Sequence, residues 1–396
     1  MNMKKSRIIR ILIAAIMMAV PTAANGYDFK VDDIYYSINS DSTTVTALTC
    51  DNDPKIVTII IPETVNNEGT TYRVTDIGQG AFTQSQLYLR YVEIGDGVER
   101  ISMGAFSMSY IDSISIGKSV SYIGPNAFCY CDRLRKVLIK DLTAWCNIEF
   151  DKYGSNPLNN IYTHLFVNGE EITHLVIPEN VTEIKKLAFM GSQFSSVTIP
   201  EGVTCIRERA FFSCTINTPL VLPNSLTTIE ERAFDACHEL PEVYLGYNID
   251  SIGDWAFANC YQLTKVTCTA ITPPILAKAL FSVDCYAHAT LHVLPQSLEA
   301  YQSALYWKDF NEIIGDVVIE IPGDVNGDGE VTIADANSVI VIIVNGGGSG
   351  HGHAPGDSGI DWPNSADVNG DGEVNIADVN TIIDLILMNK EPFKLT

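Results

Sequence analysis

Short runs in which apolar and polar residues alternate recur along the chain about every 23 residues. Alternation with a period of two is typical of a β-strand with one buried face. Prolines 178, 200 and 223 follow three of these runs, and proline stops a strand because it has no N–H to donate. The pattern therefore predicts one short strand per repeat, with runs ending at Ile94, Ile116, Ile139, Ile177, Ile199, Leu222, Leu245 and Cys268.

The dipeptide Ala-Phe repeats with the same period. It occurs at positions 81, 105, 127, 188, 210, 233 and 256, and a degenerate copy spans Ala279 to Phe281. A fixed period is typical of solenoids, in which stacked coils share a core that one unit could not bury alone. We expect Ala-Phe to fill the interior of each coil. The sequence thus predicts a mainly β solenoid of about ten coils of about 23 residues.

Four of the ten cysteines occupy one position of this repeat. A position that accepts either cysteine or serine indicates a small, buried side chain. We therefore favour an unpaired internal ladder, with disulfides or a metal site as the alternatives. The position, three residues after the Phe of Ala-Phe, holds Cys131, Cys214, Cys237 and Cys260 and, in other copies, Ser85, Ser109 and Ser192.

The repeat is interrupted between residues 129 and 187, where successive Ala-Phe pairs are 61 residues apart. We expect one irregular, extended coil or a pair of coils there. Within this insert, Asn168 to Glu171 (NGEE) is typical of a hairpin turn and is predicted to join LFV to ITHLVI. The ends of a solenoid need covers, so residues 27–62 are expected to cap the first coil and residues 287–315 the last.

The tail contains a twelve-residue motif twice, DVNGDGEVTIAD at 324–335 and DVNGDGEVNIAD at 367–378. Oxygen donors at positions one, three, five and twelve, a glycine at six and a carbonyl at seven are typical of an EF-hand-like calcium loop. Hard oxygen donors favour Ca²⁺ over zinc or copper. We predict two Ca²⁺ ions and a tail that folds or stiffens on binding them. The candidate ligands are Asp324, Asn326, Asp328, Glu330 and Asp335 in the first loop and Asp367, Asn369, Asp371, Glu373 and Asp378 in the second.

An apolar helix is expected after each loop, over residues 336–344 and 379–388, and the two helices could bury their apolar faces against each other. The connection over residues 345–366 is rich in glycine. His351 and His353 lie within it, and we expect these linker histidines to be inert rather than metal ligands.

The N-terminal residues indicate where the protein is located, and the net charge of the chain indicates which partners are excluded. A basic start, an apolar stretch over 11–20 and small residues at Ala24 and Gly26 are typical of a secretory signal peptide over 1–26. We predict a secreted or cell-surface protein without a membrane span after signal removal; a membrane anchor is the alternative. The formal net charge of -23 argues against a nucleic-acid partner. Residues 316–396 hold 14 acidic residues and two lysines, a net charge of -12.

Residues 30–315 resemble the BspA-type leucine-rich repeat surface proteins of bacteria. The resemblance rests on the repeated Ala-Phe-x-x-Cys-x-x-Leu and Ile-Pro elements, on AWCNIEF and NPL in the insert, and on ATLHV followed by YQSALYWKDFNEI. It implies adhesion or ligand binding at or outside the cell surface, with an extracellular protein or glycan as ligand.

Residues 316–390 resemble the type I dockerin module, which implies calcium-dependent docking to a cohesin-like protein. The chain has Ile333-Ala334 and Ile376-Ala377 where dockerins often show a Ser-Thr-type pair at loop positions ten and eleven. The expected organisation is a signal peptide over 1–26, a solenoid over 27–315 and a small α-helical, dockerin-like calcium-binding domain over 316–396.

The chain contains no G-x-S-x-G elbow, H-E-x-x-H helix, Walker loop or dinucleotide fingerprint. We therefore expect no enzymatic activity. If the Val and Ile of each strand point inward, their neighbours form an outward strip that could bind a ligand, although an ordinary exposed sheet face is an equal alternative. The candidate strip residues are Tyr91, Glu93, Lys136, His174, Glu242, Tyr244 and Lys265.

Three functions fit this organisation. The leading interpretation is a secreted or cell-surface, non-catalytic binding and adhesion protein, with the solenoid as recognition surface and the tail for calcium-dependent docking or stabilisation. The alternative is a non-catalytic component of an extracellular polysaccharide-degrading assembly, recruited through the tail. A purely structural surface-layer protein is the third.

Overall fold

The computed structural model describes residues 26–83, 86–276, 281, 283–318, 331–344, 366, 368–369 and 374–388. The predicted signal peptide, except for Gly26, and linker residues 345–365 lie outside them. Contacts divide the chain into two units, unit one (Met1–Ile172) and unit two (Thr173–Thr396), and each is described by itself.

Unit one consists of short strands and one helix. Its elements are β1 (Phe29–Val31), β2 (Ile34–Ile38), β3 (Thr44–Cys50), β4 (Thr58–Ile61), β5 (Thr64–Asn67), β6 (Thr70–Ile77), β7 (Tyr91–Ile94), β8 (Arg100–Ile101), β9 (Ser113–Ile116), β10 (Tyr122–Ile123), β11 (Lys136–Ile139), α1 (Leu142–Cys146), β12 (Glu149–Phe150), β13 (His164–Val167) and β14 (Glu170–Glu171). One sheet has the order β1-β2-β3-β6-β8-β10-β12, with β5 paired to β6, and the other the order β14-β13-β11-β9-β7-β4. Strands of successive coils are parallel, whereas β1, β2 and β3 pair antiparallel at the N-terminal end.

Unit two continues the same pattern and ends in two longer helices. Its elements are β15 (His174–Val176), β16 (Glu183–Ile184), β17 (Ser196–Thr198), β18 (Cys205–Ile206), β19 (Leu220–Val221), β20 (Thr228–Ile229), β21 (Glu242–Leu245), β22 (Ser251–Ile252), β23 (Lys265–Cys268), β24 (Ile275–Leu276), α2 (Val283–His288), β25 (Thr290–Val293), α3 (Leu298–Ser303), β26 (Glu312–Gly315), α4 (Ile333–Val344) and α5 (Ile376–Met388). Its sheets have the orders β15-β17, β16-β18-β20-β22-β24 and β19-β21-β23-β25-β26. The predicted β-solenoid of about ten coils is confirmed.

The period-two pattern determines which side of each strand is buried. In β7, Val92 and Ile94 are buried while Tyr91 and Glu93 are partly exposed, and other strands repeat this alternation. Some coils carry glycine after the strand where others carry proline. A Cβ at Gly117 would lie 2.5 Å from the carbonyl oxygen of Gly95 in the preceding coil, so a side chain has no room there.

The Ala-Phe pairs form the interior of the coils, as predicted. Their alanines and phenylalanines are at most 3% exposed. In unit two the rings of Phe189, Phe211, Phe234, Phe257 and Phe281 stack with centroids 5.1–5.8 Å apart, and in unit one Phe82, Phe106 and Phe128 do the same. The residue before each pair has a positive φ, between 54° and 64°, so a left-handed turn directs every Ala-Phe inward.

The cysteine ladder has a specific hydrogen-bonding role. The thiols of Cys131, Cys214, Cys237 and Cys260 donate to the carbonyl of the phenylalanine in the preceding coil, with Sγ–O distances of 3.0–3.4 Å. All ten cysteines are unpaired. Burial raises the pKa of the Cys131 and Cys237 thiols to about 12. The ladder is therefore a set of neutral, internal hydrogen-bond donors without disulfides.

The insert contains the predicted hairpin with one correction. β13 and β14 pair antiparallel across Asn168 and Gly169, whose φ values of 52° and 88° are those of a type I′ turn. The returning strand, however, is only Glu170–Glu171, and the later residues His174–Val176 (HLV) form β15 in a separate sheet. Joining LFV to the whole of ITHLVI was therefore wrong. The earlier AWC residues form α1, whose N-cap Asp141 accepts a hydrogen bond from the N–H of Ala144.

The region around residues 287–315 adds β25 and β26 to the parallel sheet and joins them through α3 and two short 3₁₀ helices, Pro295–Ser297 and Trp307–Asp309. Two buried aromatic residues attach this crossover to the last coil. The Tyr301 hydroxyl donates to the carbonyl of Ala270 at 2.9 Å, and the Trp307 indole N–H donates to that of Pro274 at 3.0 Å. No helix in the described part of the chain is both long enough and apolar enough to cross a bilayer.

Candidate functional site

Helices α4 and α5 pack on a small core with internal symmetry. Eight of its members form four pairs separated by the same 43 residues that separate the two loop motifs. The pairs are Val331 and Val374, Ala336 and Val379, Val339 and Ile382, and Ile343 and Ile386. Two copies of one loop-helix unit therefore bury equivalent apolar faces, as the sequence predicted.

Both helices begin three residues earlier than predicted. α4 starts at Ile333 and α5 at Ile376, because the end of each loop motif forms a capping box. In α5, the Asn375 side chain accepts from the N–H of Ala377 at 2.8 Å, while the Asp378 carboxylate accepts from the N–H of Asn375 at 2.8 Å. Thr332, Ala334 and Asp335 make the corresponding contacts in α4.

Asp378 also closes its loop. Its second carboxylate oxygen accepts from the N–H groups of Val368 at 2.8 Å and Asn369 at 3.3 Å, so one side chain joins the start of the loop to the start of α5. Both Asp378 and its equivalent Asp335 are 0% exposed. A buried carboxylate is costly unless its charge is compensated. The donor set, carboxylates with an amide at position three, fits Ca²⁺, which prefers oxygen ligands.

Three of the ten candidate ligands, Asp335, Asn369 and Asp378, lie among the described residues. Within those residues no group of three or more His, Cys, Asp or Glu side chains could hold a metal ion. The remaining candidate ligands lie outside the described residues: Asp324, Asn326, Asp328, Glu330, Asp367, Asp371 and Glu373.

Three residues of the predicted ligand strip lie in unit one. Tyr91 and Lys136 belong to one cross-strand row, separated by Ser113, and Glu93 belongs to the next row. Burial, followed by the charge of Glu93, raises the pKa of Tyr91 above its ordinary value. The Lys136 ammonium lies 5.2 Å from the ring centroid of Phe166. This part of the strip is a mixed aromatic and charged face.

Four strip residues lie in unit two. Glu242 and Lys265 are register partners in β21 and β23. The Tyr244 hydroxyl donates to Glu242 at 3.2 Å, and the Lys265 ammonium lies 5.9 Å from the Tyr244 ring centroid. His174 is held elsewhere on the face, between the hydroxyls of Ser196 and Thr198. The structure thus brings Glu242, Tyr244 and Lys265 together, and one continuous strip over both units stays a prediction.

The structure adds His292 and Asp316 to the predicted outward strip. Thr267 and His292 continue the row that contains Tyr244, and Nδ1 of His292 lies 2.8 Å from a carboxylate oxygen of Asp316. Strand alternation places Thr267 on the outward side, yet it is only 5% exposed. The pairing of His292 with Asp316 depends on where β26 ends.

Comparisons with known proteins agree with this architecture. The profile of the BspA type Leucine rich repeat region matches residues 43–151 and 159–283 in six copies, which together exceed half of the chain. The profile of the Dockerin type I domain matches residues 322–387. No curated relative matches the sequence.

Several solved structures match the chain at low sequence identity. A leucine rich cell surface protein from Faecalibacterium prausnitzii A2-165 is 19% identical over 72% of this chain and 93% of that chain, with a TM-score of 0.37. A leucine-rich repeat protein from Eubacterium ventriosum is 17% identical over 72% and 92%, with a TM-score of 0.36. The pneumococcal vaccine antigen PcpA is 14% identical over 74% and 99%, with a TM-score of 0.29. With its six matched repeats and its stacked Ala-Phe coils, this chain belongs to the BspA type leucine rich repeat family and ends in a type I dockerin domain.

Proposed function

We propose that the chain is an exported, non-catalytic binding protein whose solenoid recognises an extracellular ligand and whose tail docks onto a cohesin-like protein when it holds two Ca²⁺ ions. The repeat fold and the dockerin domain support a binding or docking role. The observation that carries the docking part is the symmetric helix pair, in which Asp335 and Asp378 are buried at equivalent positions.

The surface of the helix pair supports an apolar contact with the partner. Ile333 and Ile376 are equivalent residues at the first position of α4 and α5, and each is 63% exposed. Burying an exposed isoleucine stabilises an interface by about 1.5–3 kcal/mol. Where many dockerins present hydroxyl groups, this chain therefore presents two isoleucines, and its partner should offer a complementary apolar pocket.

The same docking could serve a polysaccharide-degrading assembly, which is the second candidate function. The dockerin match favours it, because a docking tail would place the solenoid beside other proteins of such an assembly. The identity of the captured partner separates this role from simple attachment at the cell surface.

Capture experiments with the full chain test the docking role. The full chain is used as bait for secreted and cell-surface proteins of the cells that produce it, with Ca²⁺ or with a chelator. We expect one partner to be captured with Ca²⁺ and lost with the chelator. The double variant Ile333→Asp plus Ile376→Asp should weaken capture by at least about tenfold, because each charge would have to be desolvated in the interface.

Val318→Asp is the matched control, since Val318 is an exposed apolar residue outside the two helices. It should leave capture unchanged. If the double variant captured the partner as well as the wild type does, the two isoleucines would not belong to the docking surface. Capture of the same strength with Ca²⁺ and with the chelator would contradict the proposed docking mechanism.

A further inference from the structure

A partly open cavity of about 440 Å³ lies in unit two between the turns of two successive coils. The first turn contributes residues 247–250 and the second contributes residues 270–275. This volume falls within the range of about 300–1,000 Å³ that is typical of ligand pockets. Asn248, Asp250 and Thr272 line the cavity and are exposed, so a ligand from solvent can reach their polar atoms.

The cavity lies where the repeat changes length. β22 begins six residues after β21 ends, whereas β24 begins seven residues after β23 ends. The extra residue and the consecutive Pro273 and Pro274 keep the longer turn from repeating the turn before it. Both ends of this turn are held, because the carbonyls of Ala270 and Pro274 accept from Tyr301 and Trp307 at 2.9 and 3.0 Å. One wall of the cavity is therefore fixed before a ligand arrives, which lowers the entropic cost of binding.

The polar side chains of the cavity are available to a ligand. Within the described part of the chain, the side chains of Tyr247, Asn248, Asp250 and Thr272 make no hydrogen bond or ion pair. The backbone of Asp250 is nevertheless held, since its carbonyl accepts from the N–H of Ile275 at 2.8 Å. Asp250 thus places a carboxylate with free acceptor positions at a defined point of the cavity.

A second cavity, of about 390 Å³, meets the first at Ile275, which lines both and is 76% exposed. The carboxylates of the second cavity differ from that of Asp250, because each already has a basic partner. An incoming cation therefore finds its uncompensated counter-charge at Asp250. The existing pairs, with N–O distances of 2.7–3.5 Å, are Glu208 with Lys186, Glu230 with Arg207 and Glu231 with Arg232.

We propose that the cavity between these turns binds a basic side chain from an extended segment of an extracellular protein, an inference that rests on the proposed recognition role of the solenoid. Asp250 pairs with the cation, and Tyr247 supplies an aromatic ring for a cation–π contact. No lysine, arginine or histidine is among the residues that line either cavity. The net charge of -23 adds a long-range attraction for a basic partner.

Ile275 favours a protein segment over a free amine as the source of this cation. An apolar residue next to the basic one can cover the exposed Ile275 and continue into the second cavity, a contact that removes apolar surface from water. A small amine has no group that could use this contact.

Fluorescence anisotropy of a labelled peptide with the full chain, with Ca²⁺ present, tests the cavity. The probe is Gly-Leu-Arg-Leu-Gly, and its counterpart carries citrulline, which has nearly the shape of arginine without the charge. We expect the wild type to bind the arginine peptide at least about tenfold more tightly than the citrulline peptide. Asp250→Asn keeps the size of the side chain but removes its charge, and it should weaken binding of the arginine peptide about tenfold. Ile275→Ser should also weaken it, because the apolar contact is lost.

Glu239→Gln is the matched control, since Glu239 is an exposed carboxylate outside both cavities. It should leave peptide binding unchanged. The proposal is overturned if the wild type binds neither peptide, if it binds both equally, or if Asp250→Asn binds the arginine peptide as well as the wild type does. Full binding by Ile275→Ser, or competition by spermidine as strong as that by unlabelled peptide, would show a site for small cations and overturn the protein segment. Capture through the tail does not depend on this cavity, so the docking role is tested separately.

Discussion

Phe234→Ala should lower the free energy of unfolding of the solenoid by about 3–5 kcal/mol. Phe234 is 0% exposed, and its ring centroid lies 5.1 Å from those of Phe211 and Phe257, with interplanar angles of 6° and 3°. Removing the ring leaves a cavity between two coils. The stability of a solenoid depends on contacts between neighbouring coils. Loss of the ring contacts should therefore make the coils before and after position 234 unfold in separate transitions.

Urea titration followed by tryptophan fluorescence measures this effect. Tyr261→Ala is the control, since Tyr261 is an aromatic residue of the neighbouring coil that is 59% exposed, and it should cost no more than about 1 kcal/mol. A loss of similar size in both variants would show that the phenylalanine stack does not determine stability.

Asp378→Ala should abolish the folded state of the helix pair. The Asp378 carboxylate accepts three backbone N–H groups, from Val368, Asn369 and Asn375, and its loss leaves these donors without their partner. Each unsatisfied buried group costs about 1–3 kcal/mol. Among the described residues of this small core, six apolar side chains are buried, and a core of that size supplies little stability.

Circular dichroism at 222 nm is well suited to this test. α4 and α5 have 12 and 13 residues, whereas α1, α2 and α3 have five or six each, so the helical signal of the described elements comes mainly from the tail. Asn380→Ala, at an exposed position of α5, should keep the signal. If Asp378→Ala also kept it in the presence of Ca²⁺, the loop-closing role of this carboxylate would be excluded.

The solenoid could be predicted from the sequence because the residue patterns that specify it are local and periodic. Each Ala-Phe pair, each alternating strand and the Asn168–Gly169 turn carries its own pattern within a few residues. The left-handed residue before four of the Ala-Phe pairs could not be predicted, because Leu187, Arg209, Arg232 and Trp255 are not residue types that favour a positive φ.

Features that depend on distant contacts were missed for a physical reason. The two-residue β14 ends one sheet, and no local pattern distinguishes it from a longer strand. The early starts of α4 and α5 follow from capping contacts of Asp335 and Asp378, whose sequence pattern predicts only metal binding. Both roles are compatible, since a carboxylate can accept N–H groups and bind Ca²⁺ with its remaining lone pairs.

We propose that the tail folds around two Ca²⁺ ions, and titration calorimetry of Ca²⁺ into the full chain measures this binding. We expect two ions to bind per chain. The double variant Asp324→Ala plus Asp367→Ala, which removes the first oxygen donor of each loop, should lose that binding. Binding of the same two ions by the double variant, or the absence of Ca²⁺ binding by the wild type, would contradict the calcium-dependent docking tail.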